Sequence, residues 1–240
     1  MNPAVASISA FFPCYNDEAT IASMVNLALV TIDKVGAEGE VIVIDDGSTD
    51  GSAHVLKDLQ SEQSRLRVVT HEQNRGYGGA LLSGFAAATK EWVFYTDGDA
   101  QFDPAELEQL VAKAGPDVDV VQGWKIRRAD NVVRRVIGRV YHRSVSLMFG
   151  LKIRDTDCDF RLIRRAVLDR ITLEHTSGVI CVELVRKLQD AGARFVEVPV
   201  HHYPRLHGQS QFFKVPAVAS TAKDLLSLWL SLVVLKGRKR

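Results

Sequence analysis

The sequence predicts an α/β protein with a mostly parallel central sheet flanked by helices, and three observations predict it. Short apolar runs rich in β-branched residues alternate with longer segments of helical period. Polar, turn-forming clusters separate them, which favours strand–helix–strand units over hairpins. Apolar residues make up 46% of the 240 and charged residues 25%, enough for a sizeable core.

Taken in order, "SISAFFP" reads as a strand stopped by Pro13. Residues 17–33 read as a helix, with Ile21, Met24, Val25, Ala28, Leu29 and Ile32 on one face. Glu40 to Asp45, "EVIVID", is a buried strand. "GSTDGSAHVLKDLQ" turns into a helix for which Ser48, Thr49 and Asp50 offer capping oxygens. "LRVVTH" is a third strand, "NRGYGGALLSGFAAA" a Gly-rich loop entering a helix, and "EWVFYT" a fourth strand. "DPAELEQLVAKA" is a helix with Asp103 as N-cap and Pro104 at its first position, and "DVDVVQG" a fifth strand. This part is Rossmann-like, and in such sheets ligands sit outside the carboxyl ends of the strands. "PCYNDE", "DDGSTDGS" and "DGDAQ" all fall at such ends.

After Gly123 the pattern changes. "VVRRVIGRVYHRSVSLMFG" reads as a helix with Arg135, Arg139 and Arg143 four residues apart. "DTDCDFRLIRR" is acidic and then basic, "GVICVELVRKLQDAG" is a helix, and "ARFVEVPVHHYP" is an extended run ended by Pro204. A polar loop, "RLHGQSQFF", precedes a last helix over about 213–235. The expected organisation is one unit over 1–211, divided near residue 123, and an apolar amphipathic helix with a basic tail over 212–240.

Formal net charge is +1, so no global charge argument points to nucleic acid. Three cysteines (Cys14, Cys158, Cys181) without a CxxC spacing suggest free thiols in a reducing compartment. Met1 to Ser9 lack the basic and apolar regions of a signal peptide, and no uninterrupted apolar run reaches the length of a spanning helix. Charge is nonetheless uneven: Gln122 to Arg165 holds twelve Lys or Arg against four Asp. Such a segment is either a solvated face or an anion site.

Two carboxylates at i and i+2 at a strand end, Asp97 and Asp99, can address one hard cation, and Gln101 can add an amide oxygen. A lone pair of this kind is more often a turn, with Asp103 capping the next helix. Asp45 and Asp46 end a buried strand before Gly47, and capping does not explain two acids there. Gly76, Gly78 and Gly79 lack the spacing of a dinucleotide or P-loop site, so close helix packing is favoured for them. Asp155, Asp157 and Asp159 can hold a metal, act as a base, or pair with Arg161, Arg164 and Arg165; structure is favoured, with Asp157 the best candidate for a site role. His201 and His202 are adjacent on a strand and point to opposite faces, which speaks against joint metal binding.

Jointly, "FFPCYNDEATI", "VIVIDDGSTDGS", "NRGYGGAL" and "YTDGDAQFDP" resemble, in order and spacing, family 2 glycosyltransferases of the GT-A fold. "DTDCDFRLIRR" and "EVPVHHYPRLHGQSQF" are similar to the branch of dolichyl-phosphate mannose synthase and polyprenyl-phosphate glycosyltransferases. The resemblance covers about residues 7–214 and implies a metal-dependent inverting hexosyltransferase with Mg²⁺ or Mn²⁺, a nucleotide-sugar donor of the GDP-mannose or UDP-glucose type, and a polyprenyl or dolichyl phosphate acceptor. It implies that Pro13, Tyr15, Asn16 and Glu18 line the nucleotide site, with Asp17 where relatives often carry Glu. Asp46 would meet the nucleoside with Asp45 beside it, Asp97 the donor sugar, Asp99 and Gln101 with Asp97 the metal, and Arg205 and Ser210 the phosphates.

Lipid phosphate needs cations rather than a base, because its second pKa of about 6 leaves it anionic. Arg127, Arg135, Arg139 and Arg143 are the candidates, against a solvated helix face. "LLSLWLSLVVL" is only about 16 Å long as a helix, too short to cross a hydrocarbon core of about 30 Å. Its polar stripe, Ser220, Asp224, Ser227 and Ser231, is narrow, so the helix belongs in a core or a homodimer interface, or lies in a membrane surface. The resulting expectation is a peripheral enzyme at the cytoplasmic face of a membrane. The competing expectations are a transferase acting on a saccharide or other soluble hydroxyl acceptor, a non-catalytic nucleotide-sugar binding module, and a nucleotidyltransferase, which the lack of a Gly-rich Lys/Arg loop after the first strand disfavours.

Overall fold

The computed structural model describes residues 4–126, 132–205 and 215–235, without the side chains of 132–137, 139 and 215–220. Its strands are β1 (Ser7–Cys14), β2 (Glu38–Asp45), β3 (Leu66–Thr70), β4 (Trp92–Thr96), β5 (Val120–Lys125), β6 (Phe160–Arg164) and β7 (Phe195–Val200). Its helices are α1 (Ile21–Val35), α2 (Ser52–Glu62), α3 (Gly76–Ala87), α4 (Leu107–Lys113), α5 (Val132–Phe149), α6 (Arg165–Leu168), α7 (Ile180–Asp190) and α8 (Val215–Trp229). The strands form one sheet in the order β3-β2-β1-β4-β6-β5-β7. All neighbours are parallel except β6, which runs antiparallel to both β4 and β5. This is the α/β architecture the sequence predicts.

Alternation along the central strands feeds two cores. Phe12, Val41, Val43 and Phe94 face α1 and α4, where they meet Met24, Val25, Leu107 and Leu110. Phe11, Ile42, Ile44 and Tyr95 face α3 and α7, where they meet Leu81, Ile180, Leu184 and Leu188. Each such side chain contributes roughly 1.5–3 kcal/mol on burial. Gly84 lets α3 settle on the sheet, because a Cβ there would stand 2.3 Å from the Phe11 ring.

The structure departs from the sequence reading at four places. Pro13 does not stop β1, which pairs with β2 through Cys14. Pairing of β1 with β4 has already ended at Phe11–Tyr95, so the donor that proline lacks falls on an open side, where the Pro13 carbonyl accepts from Gly98 N–H at 3.2 Å. Helix α1 begins at Ile21, not at residue 17, because the intervening residues bond to the loop after β2. The helix after Asp103 opens with a 3₁₀ turn over Pro104–Glu106, although Asp103 does accept from Ala105 N–H at 2.9 Å. "FRLIR", read only as a basic stretch, is the antiparallel strand β6 in the middle of the sheet. Arg161, fully buried there, breaks the apolar pattern that would have announced it.

Beyond the sheet, α5, α7 and α8 share a third core around Val145, Phe149, Val182, Val185 and Leu228. Trp229 Nε1 donates to the Met148 carbonyl at 3.0 Å, and Ser177 Oγ to Asp224 at 2.8 Å. The last helix therefore rests on its own chain by one face, and Asp224 of the polar stripe points inward. The helix continues as a wider π-type turn over Leu230–Leu235. Leu226, Leu230 and Leu235 stay exposed, as does Leu147 of α5 at 87%. Among the described residues no helix is long and apolar enough to cross a membrane.

Candidate active site

The loops after β1, β2 and β4 meet at one sheet edge because β1 lies between the other two. Asp46 N–H donates to the Cys14 carbonyl at 2.9 Å, and Thr20 Oγ1 to the Gly98 carbonyl at 2.8 Å. Asn16, at φ +59°, accepts from Thr49 N–H at 2.8 Å and Asp50 N–H at 3.3 Å, while its own N–H reaches Ser48 Oγ at 3.1 Å. Ser48 and Thr49 thus join loops and do not cap α2. The N-cap is Gly51, whose N–H donates to Glu18 at 3.0 Å, and only Asp50 helps, accepting from Ser52 N–H at 3.0 Å. Gly47, at φ +72°, is required at the turn: a Cβ would stand 2.9 Å from Asn74 N.

Asp45 accepts from Ser48 N–H at 3.0 Å. Asp46 is buried, and its Oδ1 pairs with His71 Nδ1 at 2.6 Å and accepts from Arg75 N–H at 2.8 Å. On the other side of β1, Asp97 accepts from the Tyr77 hydroxyl at 2.8 Å. Desolvation, then the charges of Asp159 and Asp99, push the Asp97 carboxyl well above the usual carboxylate range. Asp99 is paired with Arg205 and accepts from Gln101 N–H at 3.0 Å. Gln101 and Tyr203 exchange two bonds, at 3.1 and 2.8 Å, which dock the segment carrying Arg205 onto the motif. Asp17 sits between these groups: burial, with Asp99 and Asp50 adding to it, lifts its carboxyl to about 6 against the pull of Tyr15 N–H and Arg205.

Below this rim lies a network built on Asp159 and Arg161, one of the acid–arginine pairings that the sequence offered. Asp159 accepts from Arg161 at 2.9 Å, from Cys181 Sγ at 3.2 Å and from Tyr95 at 3.4 Å. Arg161 also holds Gln122, the Tyr95 hydroxyl and the Thr156 carbonyl. Arg164 and Arg165 turn instead to Glu91 and Asp169. Asp157 offers its carbonyl to Lys125 Nζ at 2.6 Å, and its charge acts on Tyr141 of α5. Tyr77, Lys125 and His71 are additions to the candidate site, which Asp159 joins from the acidic run. The only signal for Tyr77 was its place among the glycines.

Those glycines serve packing, as favoured. Gly78 and Gly79 N–H donate to the Thr176 carbonyl at 2.8 and 3.3 Å, and a Cβ at Gly78 would lie 2.5 Å from the His175 carbonyl. The Gly78 and Gly79 amides at the start of α3 are therefore occupied. Arg143 is exposed, His201 pairs with Glu106, and His202 meets the Phe102 ring edge at 5.1 Å. Arg127 and Ser210 lie outside the described residues, as do the side chains of Arg135 and Arg139.

Among the described residues no three His, Cys, Asp or Glu side chains form a ready-made metal cage. The donor set still suits a hard cation that takes one or two carboxylates and completes its shell with water and substrate phosphates. Asp99 and Asp97 supply oxygens whose mutual repulsion a cation relieves. Gln101 turns its amide N–H to Tyr203, which leaves its oxygen as the ligating end.

The family model described as glycosyl transferase family 2 matches residues 9–172, more than half of the chain. The chain belongs to glycosyl transferase family 2. Solved structures of glucosyl-3-phosphoglycerate synthase from Mycobacterium tuberculosis are similar in fold. The complex with phosphoglyceric acid is 22% identical with a TM-score of 0.70, covering 94% of this chain and 79% of that one. The complex with Mn²⁺, UDP and glucosyl-3-phosphoglycerate has a TM-score of 0.67 at 22% identity, with the same coverage. The complex with Mg²⁺ and UDP has 0.67 at 20% identity, covering 94% and 79%. The GT-A fold implied by the motifs is thus the fold observed.

Proposed function

We propose that this family 2 transferase moves a hexose, with inversion, from a nucleoside-diphosphate sugar to a polyprenyl phosphate. The observation that carries the donor half is the meeting of Asp46, Asp97, Asp99 and Arg205 on one sheet edge. In this reading Pro13, Tyr15, Asn16 and Glu18 line the nucleotide, Asp45 and Asp46 serve the nucleoside, and Asp97 orients the sugar. Asp99 and Gln101, with Asp97, would hold Mg²⁺ or Mn²⁺, and such a cation would supply charge neutralisation for the departing diphosphate. Arg205 releases Asp99 and turns to the phosphates together with Ser210. UDP bound with Mn²⁺ or Mg²⁺ in the similar structures supports the donor class and the ion type.

For the acceptor, an anionic phosphate oxygen attacks the anomeric carbon from the face opposite the diphosphate and needs no general base. Arg127 and Arg139 bind that phosphate, and Asp157 orders the acceptor side through Lys125. The exposed leucines of α5 and α8 support a lipid surface as the source of the acceptor. A second reading is a soluble phosphorylated hydroxy acid, favoured by the phosphoglyceric acid bound in a similar structure. That acceptor requires a base.

The test supplies labelled UDP-glucose or GDP-mannose with Mn²⁺, a short prenyl phosphate and 3-phosphoglycerate. The lipid reading expects label in an organic-extractable, mild-acid-labile product. Label confined to water-soluble product overturns it. Nucleotide binding without any turnover reduces the protein to a binding module.

A further inference from the structure

Asp46 Oδ1 carries more donors than the other carboxylate oxygens of the rim, and His71 is the reason. His71 is 4% exposed and Asp46 3%. The ring is clamped at both nitrogens, Nδ1 to Asp46 at 2.6 Å and Nε2 to Ser83 Oγ at 2.8 Å. Its backbone N–H is tied to the Asp45 carbonyl at 2.9 Å. An ionised carboxylate only accepts, so Nδ1 carries the hydrogen and a neutral ring accepts the Ser83 hydroxyl at Nε2. With Arg75 N–H at 2.8 Å, both acceptor positions of Oδ1 are filled. Among the described residues no group donates to Oδ2.

We infer that His71 is a specificity-determining residue, which reduces Asp46 to a single free acceptor oxygen and thereby selects uracil over guanine. Uracil presents one N–H, at N3, between two carbonyls. Guanine presents adjacent N–H donors at N1 and N2, which match a carboxylate only when both oxygens accept. With Oδ1 spent on His71 and Arg75, a guanine base leaves one of its donors unmatched in a desolvated site. The same two donors withdraw charge from Oδ1, which lessens its repulsion of a uracil carbonyl.

The inference rests on the proposed contact of Asp46 with the nucleoside, and binding measurements separate the two. UDP, GDP and N3-methyl-UDP are titrated calorimetrically with Mn²⁺ against the wild-type chain and the Asp46→Ala, His71→Asn and His71→Ala variants. Wild type is expected to prefer UDP to GDP at least about tenfold and to lose a similar factor on N3 methylation. His71→Asn, whose amide N–H stands in for Nδ1–H, keeps the preference. His71→Ala frees Oδ1 and narrows the ratio, chiefly through tighter GDP binding. Equal wild-type affinity for UDP and GDP, or an equal change of both in His71→Ala, overturns the role of His71 even where Asp46→Ala abolishes binding. Unchanged UDP affinity in Asp46→Ala overturns the nucleoside contact itself, and the inference with it. The wild-type comparison and the methylated ligand stand without any variant having to fold.

Discussion

Asp46 and Asp97 close neighbouring stretches of one sheet edge, yet their surroundings differ in kind. Asp46 is met by donors, a histidine N–H and a backbone N–H, and the histidine is held in turn by Ser83. Asp97 has the Tyr77 hydroxyl but faces the charges of Asp159 and Asp99, with Arg161, Arg205 and Lys125 set among them. One side is arranged to read hydrogen bonds. The other holds negative charge close together, which a cation and a diphosphate can rearrange. In the proposed reading, one sheet edge would separate nucleoside recognition from chemistry by what surrounds each carboxylate.

Four changes break or sharpen this contrast, the largest first. Arg161→Met leaves the partly buried Asp159 without its fully buried cation and should destabilise the protein by up to about 3–5 kcal/mol, read by urea unfolding. A loss below about 1 kcal/mol would mean that the acidic side is not held down by this pair. Asp99→Ala should lower turnover on the order of 10²–10³-fold while the melting temperature is kept. Undiminished turnover removes the metal assignment. Tyr77→Phe removes the hydrogen bond to Asp97 and should cost about tenfold in kcat, with little change in nucleotide affinity. Equal loss in both would place Tyr77 on the recognition side instead.

The smallest effect is on pH dependence. The folded-state pKa of Asp17 is raised, so its contribution to stability is complete below about pH 4 and is lost as pH rises through about 6. Asp17→Asn keeps an acceptor for Tyr15 N–H, bonded at 3.1 Å in the wild type. It should raise the melting temperature by a few degrees at pH 8 and leave it unchanged at pH 4. Identical gains at both values would show that burial, with the charge of Asp99, does not raise the Asp17 carboxyl.

Local sequence was enough for the alternation of β1 to β5 with their helices, because period and turn chemistry are local properties. It was also enough for the residue types at the strand ends, acids beside glycine at Asp46–Gly47 and around Gly98, which singled these turns out as candidates. Helix boundaries around residue 17 and the capping of α2 were misread for one reason. The oxygens of Asn16, Glu18 and Ser48 bond across loops more than thirty residues apart in sequence. Strand β6 was illegible because its buried arginine is tolerable only where Asp159, Gln122 and Tyr95 surround it.

The chain's own order of residues therefore determined the layered α/β architecture and the chemical vocabulary of the site: carboxylates, glycines and a late arginine. Only the tertiary structure decided which carboxylates share a neighbourhood. Strand order puts β3 beside β2, and β6 beside β4. That ordering brings Asp46 to His71 and sets the charge of Asp159 against Asp97, since hydrogen bonding and Coulomb interaction depend on distance in space and not on separation along the chain.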